Sequence, residues 1–203
     1  MIGKMAEIDI NTDFSLLFSR IDELLSKDDG LIIIAVDGGS ASGKTTLAGV
    51  LSEKYDCNVF HTDDFFLRPE QRTPERFAEI GGNLDRERFQ DEVLTPLKNN
   101  QAVVYRRFNC ATFTLDKPIS VASRRVNVVE GAYSMHLSFG NYHHLSVFLN
   151  IASDYQRERI LKRNSAELAE RFFNEWIPLE LKYFSGTKIL SRADIVIDIC
   201  KNK

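Results

Sequence analysis

An α/β fold is predicted for this 203-residue chain: a three-layer sandwich with a mostly parallel central sheet and helices on both faces. Three observations predict it. Short apolar runs alternate with amphipathic stretches from residue 13 onward. The first run, Leu31 to Val36, is apolar at every position, as a strand covered on both faces must be. A glycine-rich turn follows it at once and leads into a helical stretch.

Phe14, Leu17, Phe18, Ile21, Leu24 and Leu25 recur at three and four residues. That period predicts an amphipathic helix from Asp13 to Ser26, capped by Thr12 or Asp13. It forms an N-terminal element, residues 1–30, packed on a core domain of residues 31–203. After Leu31 to Val36, a helix is predicted over Thr45 to Tyr55 and a short strand over Asn58 to His61. Asp85 to Asn99 is helical in pattern, with Phe89, Val93, Leu94 and Leu97 on one face and Pro96 near its end. Ala102 to Tyr105, Val126 to Val129 and Leu145 to Ile151 read as further strands. Helices follow over Asp154 to Arg163 and Glu167 to Phe184, and a closing strand over Asp194 to Cys200. No repeat and no Pro/Gly linker divides the chain.

With 43% apolar and 27% charged residues, the composition is that of a soluble globule able to bury a core without staples. The net charge of -3 argues against a nucleic acid polymer as partner. No stretch approaches the roughly 20 apolar residues of a membrane helix, and the first residues lack the apolar core of a signal peptide. Cys57, Cys110 and Cys200 are widely spaced, the usage of a reducing compartment. A cytoplasmic protein without a membrane partner is therefore expected. His61, His136, His143 and His144 show no zinc-type spacing with cysteine.

Gly38, Gly39, Ser40, Ala41, Ser42, Gly43, Lys44 and Thr45 fit the phosphate-loop pattern G-x-x-x-x-G-K-[ST] without deviation. The glycines let the backbone turn several N–H groups towards one anion, and the following helix adds its positive end. Lys44 brings a full charge to the β- and γ-phosphates, and the Thr45 hydroxyl is a hard ligand suited to Mg²⁺. Thr46 can add a hydroxyl to the α-phosphate. The fold prediction sharpens to a P-loop NTPase-type sandwich, with ATP or GTP as phosphate donor and Mg²⁺ as cofactor.

In such sheets the ligand sits beyond the carboxyl ends of the strands. Asp63 and Asp64 follow the second strand, where one of them can take a proton from an attacking hydroxyl; a turn or helix cap is the plainer alternative. Val126 to Val129 ends in Glu130 and Gly131, an acid placed to hold Mg²⁺ directly or through water.

GGSASGKTT, TDDFF and VVEGAY, in this order and spacing, resemble the uridine kinase-like nucleoside kinases, whose relatives include nicotinamide riboside kinase, phosphoribulokinase and bacterial pantothenate kinase. The resemblance runs from about Leu31 to Cys200. It implies Asp63 as the general base and Thr45, Glu130 and Asp63 as the metal shell. It implies Asp85, within an N-x-D segment, as the ribose ligand, with Tyr105, Phe108 and Tyr133 around the base. It also implies a helical lid at about 154–170, from which Arg159 and Arg163 reach the nucleotide. Two departures bear on the acceptor. Arg86 and Glu87 stand where those kinases carry His-Pro, and Asn109 or Cys110 where they carry a histidine. Arg68, Arg86, Arg88, Arg106 and Arg107 are more cationic than a neutral nucleoside requires, so an anionic acceptor stays open beside solvated surface.

The expected activity is in-line transfer of a γ-phosphoryl group to a small molecule, a nucleoside 5′-hydroxyl first, with Lys44, Asp63, Arg159 and Arg163 as catalytic groups. Another acceptor on the same fold and a non-catalytic nucleotide-binding module are the alternatives. A homo-oligomer is left open. The aromatic run from Phe172 to Phe184 is expected to serve packing.

Overall fold

The computed structural model describes residues 13–27 and 29–201. Thr12 lies outside them. Asp13 accepts a hydrogen bond from the backbone N–H of Ser15 at 2.8 Å where α1 (Ser15–Lys27) begins. β1 (Ile32–Gly38) runs into the glycine-rich loop and α2 (Lys44–Tyr55), and β2 (Asn58–His61) follows. Beyond α3 (Pro74–Ala78), α4 (Arg86–Phe89) and α5 (Thr95–Lys98) are joined by a π-helical turn, Gln90–Leu94. Four short strands come next: β3 (Val103–Tyr105), β4 (Phe108–Asn109), β5 (Thr114–Leu115) and β6 (Ile119–Val121). β7 (Val126–Glu130) and β8 (Leu145–Ile151) lead to α6 (Ser153–Arg163) and α7 (Ala166–Arg171). A second π-helical turn, Phe172–Trp176, precedes α8 (Ile177–Thr187), α9 (Ile189–Arg192) and β9 (Ile195–Ile199).

The central sheet has five strands in the order β2-β7-β1-β8-β9, all parallel. The chain leaves β1 for one edge, returns to fill β7 beside it, then crosses to β8 and β9. That reversal beside β1 opens a crevice at its carboxyl end, where such folds bind ligands. The continuous apolar run of β1 divides by parity between two cores. Ile32, Ile34 and Val36 meet Leu17 and Ile21 of α1 and Leu47 and Leu51 of α2. Ile33 and Ala35 face Phe89, Val93 and Leu97, with Tyr183 of α8 in the same core. Sheet and two helical faces make the predicted three layers.

Three predicted elements differ. The run from Ala102 to Tyr105 is no member of the parallel sheet: β3 pairs antiparallel with β6 in a separate ribbon. Its burial alternates, with Val104 exposed between Val103 and Tyr105, the pattern of a strand covered on one face only. The helices predicted over Asp85 to Asn99 and Glu167 to Phe184 each contain a π-helical turn, and the second continues to Thr187. Prolines explain both. Thr95 and Ile177, each just before a proline, donate five residues back to Gln90 O and Phe172 O, which widens the turn ahead of a ring that has no N–H and crowds the preceding carbonyls. Among the described residues, no helix is long and apolar enough to cross a membrane.

Candidate active site

Glycine geometry shapes the phosphate loop. Gly43 takes φ 101° as the residue before α2, and Gly38 takes φ 149° with no room for a side chain: a Cβ there would lie 2.6 Å from the Leu149 carbonyl oxygen. Lys44 folds back over the loop, donating from Nζ to the carbonyls of Gly38 and Gly39 at 2.9 and 3.0 Å. The loop therefore presents its N–H groups and one ammonium to the same cleft.

Strand register brings the acids to it. In the parallel ladder Glu130 stands beside Val36 on one side and His61 on the other. Its Oε1 accepts from Thr45 Oγ1 at 3.0 Å and contacts His61 Nδ1 at 2.5 Å. Burial pushes the Glu130 pKa up, but His61, Lys44 and Thr45 together hold it below its ordinary value. The same hydrogen bond raises the pKa of His61. Gly131 lets the chain turn away at once: a Cβ there would meet Thr62 Oγ1 at 2.0 Å.

A cleft of about 610 Å³ brings together Ser40, Ala41, Gly43, Lys44, Thr45, Thr46, Asp63, Glu130 and Tyr133 with Arg159 and Arg163. Asp63 is walled in by protein while its own surface opens to the cleft's water. That crowding raises its pKa; Lys44 opposes the rise and the neighbouring Glu130 and Glu180 reinforce it. Asp63 thus shares the cleft with the phosphate loop and holds its proton more tightly than an ordinary aspartate. Arg163 has its pKa lowered by burial and by Arg159, with Asp63 opposing. The remaining loop residues, Gly38, Gly39 and Ser42, are buried beneath the loop rather than on the cleft wall.

The expected acceptor residues separate. Tyr133 lines the cleft, in a left-handed conformation at φ 77°. Asp85 does not: it is 1% exposed, accepts from the backbone N–H of Arg88 at the start of α4, and pairs with the side chains of Arg88 and Arg68. In this structure those contacts turn its carboxylate to Arg68, Arg88 and the start of α4 rather than to the cleft. Arg68, Tyr105 and Phe108 are likewise absent from the cleft wall; the Tyr105 hydroxyl turns to Asp64 at 3.4 Å. The suspected cationic cluster also dissolves into local pairs, Arg86 with Glu79 and Arg107 with Asp64.

Other groups take their place. Arg72 lines the cleft with Cys110 and Phe113, its guanidinium stacked 5.0 Å from the Phe113 ring. Arg171, Phe172 and Trp176 line it too, so the aromatic run divides: Phe172 and Trp176 meet the cleft, while Tyr183 and Phe184 serve packing as expected. The signal available in the sequence was Pro178, which follows the π-helical turn that Phe172 and Trp176 begin and end. His61 was detectable only through the β2–β7 register. Asp37, buried at the end of β1, accepts from Gly38 N, Met135 N and Tyr183 Oη.

Fold and site together define a P-loop α/β protein in which the phosphate loop, a strand-end acid pair and a helical lid share one cleft. No protein-family model matches the sequence, and no curated protein matches it. Solved structures do match the fold. A possible uridine kinase from Bacillus stearothermophilus superposes with a TM-score of 0.65 at 23% identity, over 90% of this chain and 100% of that one. The D-glycerate 3-kinase of Cryptococcus neoformans var. grubii superposes at 0.62 with 14% identity, over 83% of this chain and 85% of that one. What they share with this chain is the fold, a parallel sheet between two layers of helices.

Proposed function

We propose that the protein is a small-molecule kinase that transfers the γ-phosphoryl group of a nucleoside triphosphate to an acceptor hydroxyl. The observation that carries this reading is the placement of Asp63 in the same cleft as Lys44, Thr45 and Glu130. The similar structures bear kinase names with different acceptors, which favours the reaction over any one substrate.

The donor set suits Mg²⁺. Thr45 Oγ1 and Glu130 Oε1 are adjacent hard oxygens, while no three His, Cys, Asp or Glu side chains among the described residues cluster to hold an ion alone. That suits a cation which keeps waters and phosphate oxygens as ligands, and which supplies charge neutralisation on the triphosphate. Lys44 and the loop N–H groups bind the β- and γ-phosphates. Asp63 orients the acceptor hydroxyl and takes its proton, leaving the oxygen free to attack in line. Arg159 and Arg163 neutralise charge on the equatorial oxygens during transfer.

Phe113, Phe172, Trp176 and Tyr133 around the acceptor end suit a flat ring, so a nucleoside is the first acceptor to try. Arg72 and Arg171 in the same walls favour a second reading, an acceptor carrying an anionic group. Coupled release of ADP from Mg-ATP, or of GDP from Mg-GTP, against uridine, cytidine, nicotinamide riboside, pantothenate and glycerate separates them. ATP consumption that no added acceptor stimulates would overturn the kinase reading.

A further inference from the structure

One carboxylate is built into the phosphate loop itself. Glu180 of α8 is 5% exposed, and its two oxygens accept from Ser40 N at 2.9 Å and Ser40 Oγ at 2.6 Å. Among the described residues no lysine or arginine forms an ion pair with it. A buried carboxylate beside an anion-binding loop repels the very ligand the loop is shaped for, so its presence calls for a compensating role.

The surroundings of Ser40 supply that role. From α6, Gln156 donates Nε2 to the Ser40 carbonyl at 2.9 Å. Gly39 leaves the space for this approach, since a Cβ there would lie 2.9 Å from Gln156 Nε2. α6, which ends at Arg163, and α8 flank α7 and the π-helical turn, so Ser40 is held from both sides of that segment. Four residues before Glu180, one turn away on the same side of the helix, is Trp176, the chain's one tryptophan and part of the acceptor wall.

We propose that Glu180 is a positioning residue that locks the lid-bearing helix to the phosphate loop through Ser40, so that a polyphosphate seated in the loop sets the position of the Trp176 wall. The proposal rests on the nucleotide-binding reading of the loop. Glutamate suits the task because two oxygens accept from two donors at once. Glutamine keeps both contacts if the Ser40 hydroxyl turns to accept from its amide, whereas alanine keeps neither.

Trp176 fluorescence and calorimetry, both followed during titration of the full chain with Mg-ADP, test it. The wild-type chain should show a saturable fluorescence change. Glu180→Ala should lose that change and bind Mg-ADP about tenfold more weakly, the worth of one hydrogen bond to a charged group. Glu180→Gln should restore both, and Ser40→Ala should reduce the fluorescence change. If the wild-type chain binds Mg-ADP by heat while Trp176 stays silent, the coupling is wrong and the nucleotide reading survives. Wild-type behaviour in Glu180→Ala overturns it too; should that variant not fold, wild-type behaviour in Ser40→Ala does the same. Absence of any Mg-ADP binding by the wild-type chain removes the nucleotide reading and this inference together.

Discussion

The hydroxyl of Tyr183 donates to the carboxylate of Asp37 at 2.8 Å, and neither group reaches solvent. The bond joins α8 to the end of β1 one residue before the phosphate loop starts, and it has a consequence for pH. Burial is the largest influence on Asp37 and lifts its pKa from 3.8 to about 6, against the hydrogen bonds from Met135, Tyr183 and Gly38. Between those values the folded chain holds a proton that the unfolded chain has released. Asp37 therefore favours folding most at low pH, and that contribution is lost as pH rises to 6. The loss is roughly 2 kcal/mol between pH 4 and pH 7. Stability of wild-type minus Asp37→Asn, from urea melts at both ends of that range, should fall by this amount. A pH-independent difference would show Asp37 ionising alike in both states.

Asp63→Asn should lower kcat by about 10² to 10⁴, the range typical of a lost general base, with Mg-ATP affinity nearly unchanged. Steady-state kinetics with the best acceptor, beside calorimetry for the nucleotide, measures both. Wild-type turnover in this variant would move the base to another group.

Arg163→Ala should reduce kcat by about 10³ or more if its guanidinium meets the transferring phosphoryl group. Arg163→Lys should recover only a small part, because a point charge lacks the planar fork. Equal losses in an Arg157→Ala control, whose guanidinium stacks on Phe173 instead, would point to lid stability rather than charge.

Cys110 is an exposed residue on the cleft wall, and the partial desolvation of its thiol there raises its pKa above the ordinary value. In a Cys200→Ser background, iodoacetamide should label it faster at pH 9 than at pH 7.5, since the thiolate is the nucleophile. Labelling should block acceptor phosphorylation, and saturating acceptor should slow the labelling. Full activity after complete labelling would place the acceptor elsewhere in the cleft.

Gly131→Ala should destabilise the fold by more than about 2 kcal/mol, through a backbone at φ 134° and a methyl group driven into Thr62. A thermal melt within a degree of wild type would mean that the turn after Glu130 yields.

Periodicity and motif spacing determined much of this protein from the sequence alone. The short apolar runs marked all five strands of the parallel sheet, most plainly β1, which is buried on both faces and apolar throughout; the same signal misplaced β3, which belongs to a separate ribbon. The loop from Gly38 to Thr45 was legible because its chemistry depends on backbone turns that only certain residues permit. The acceptor end was not legible. Asp85 looked like a ligand in one dimension, but the fold brings Arg68 and Arg88 to it, and a carboxylate so paired caps a helix instead. Phe172 and Trp176 looked like core, but they begin and end a π-helical turn and line the cleft. Glu180 lies 140 residues from Ser40, and nothing local marks the pair. Sequence determined what short-range geometry dictates; which charges are neutralised and which are left to meet a ligand was decided only when distant segments packed, because pairing depends on neighbours the chain does not list in order.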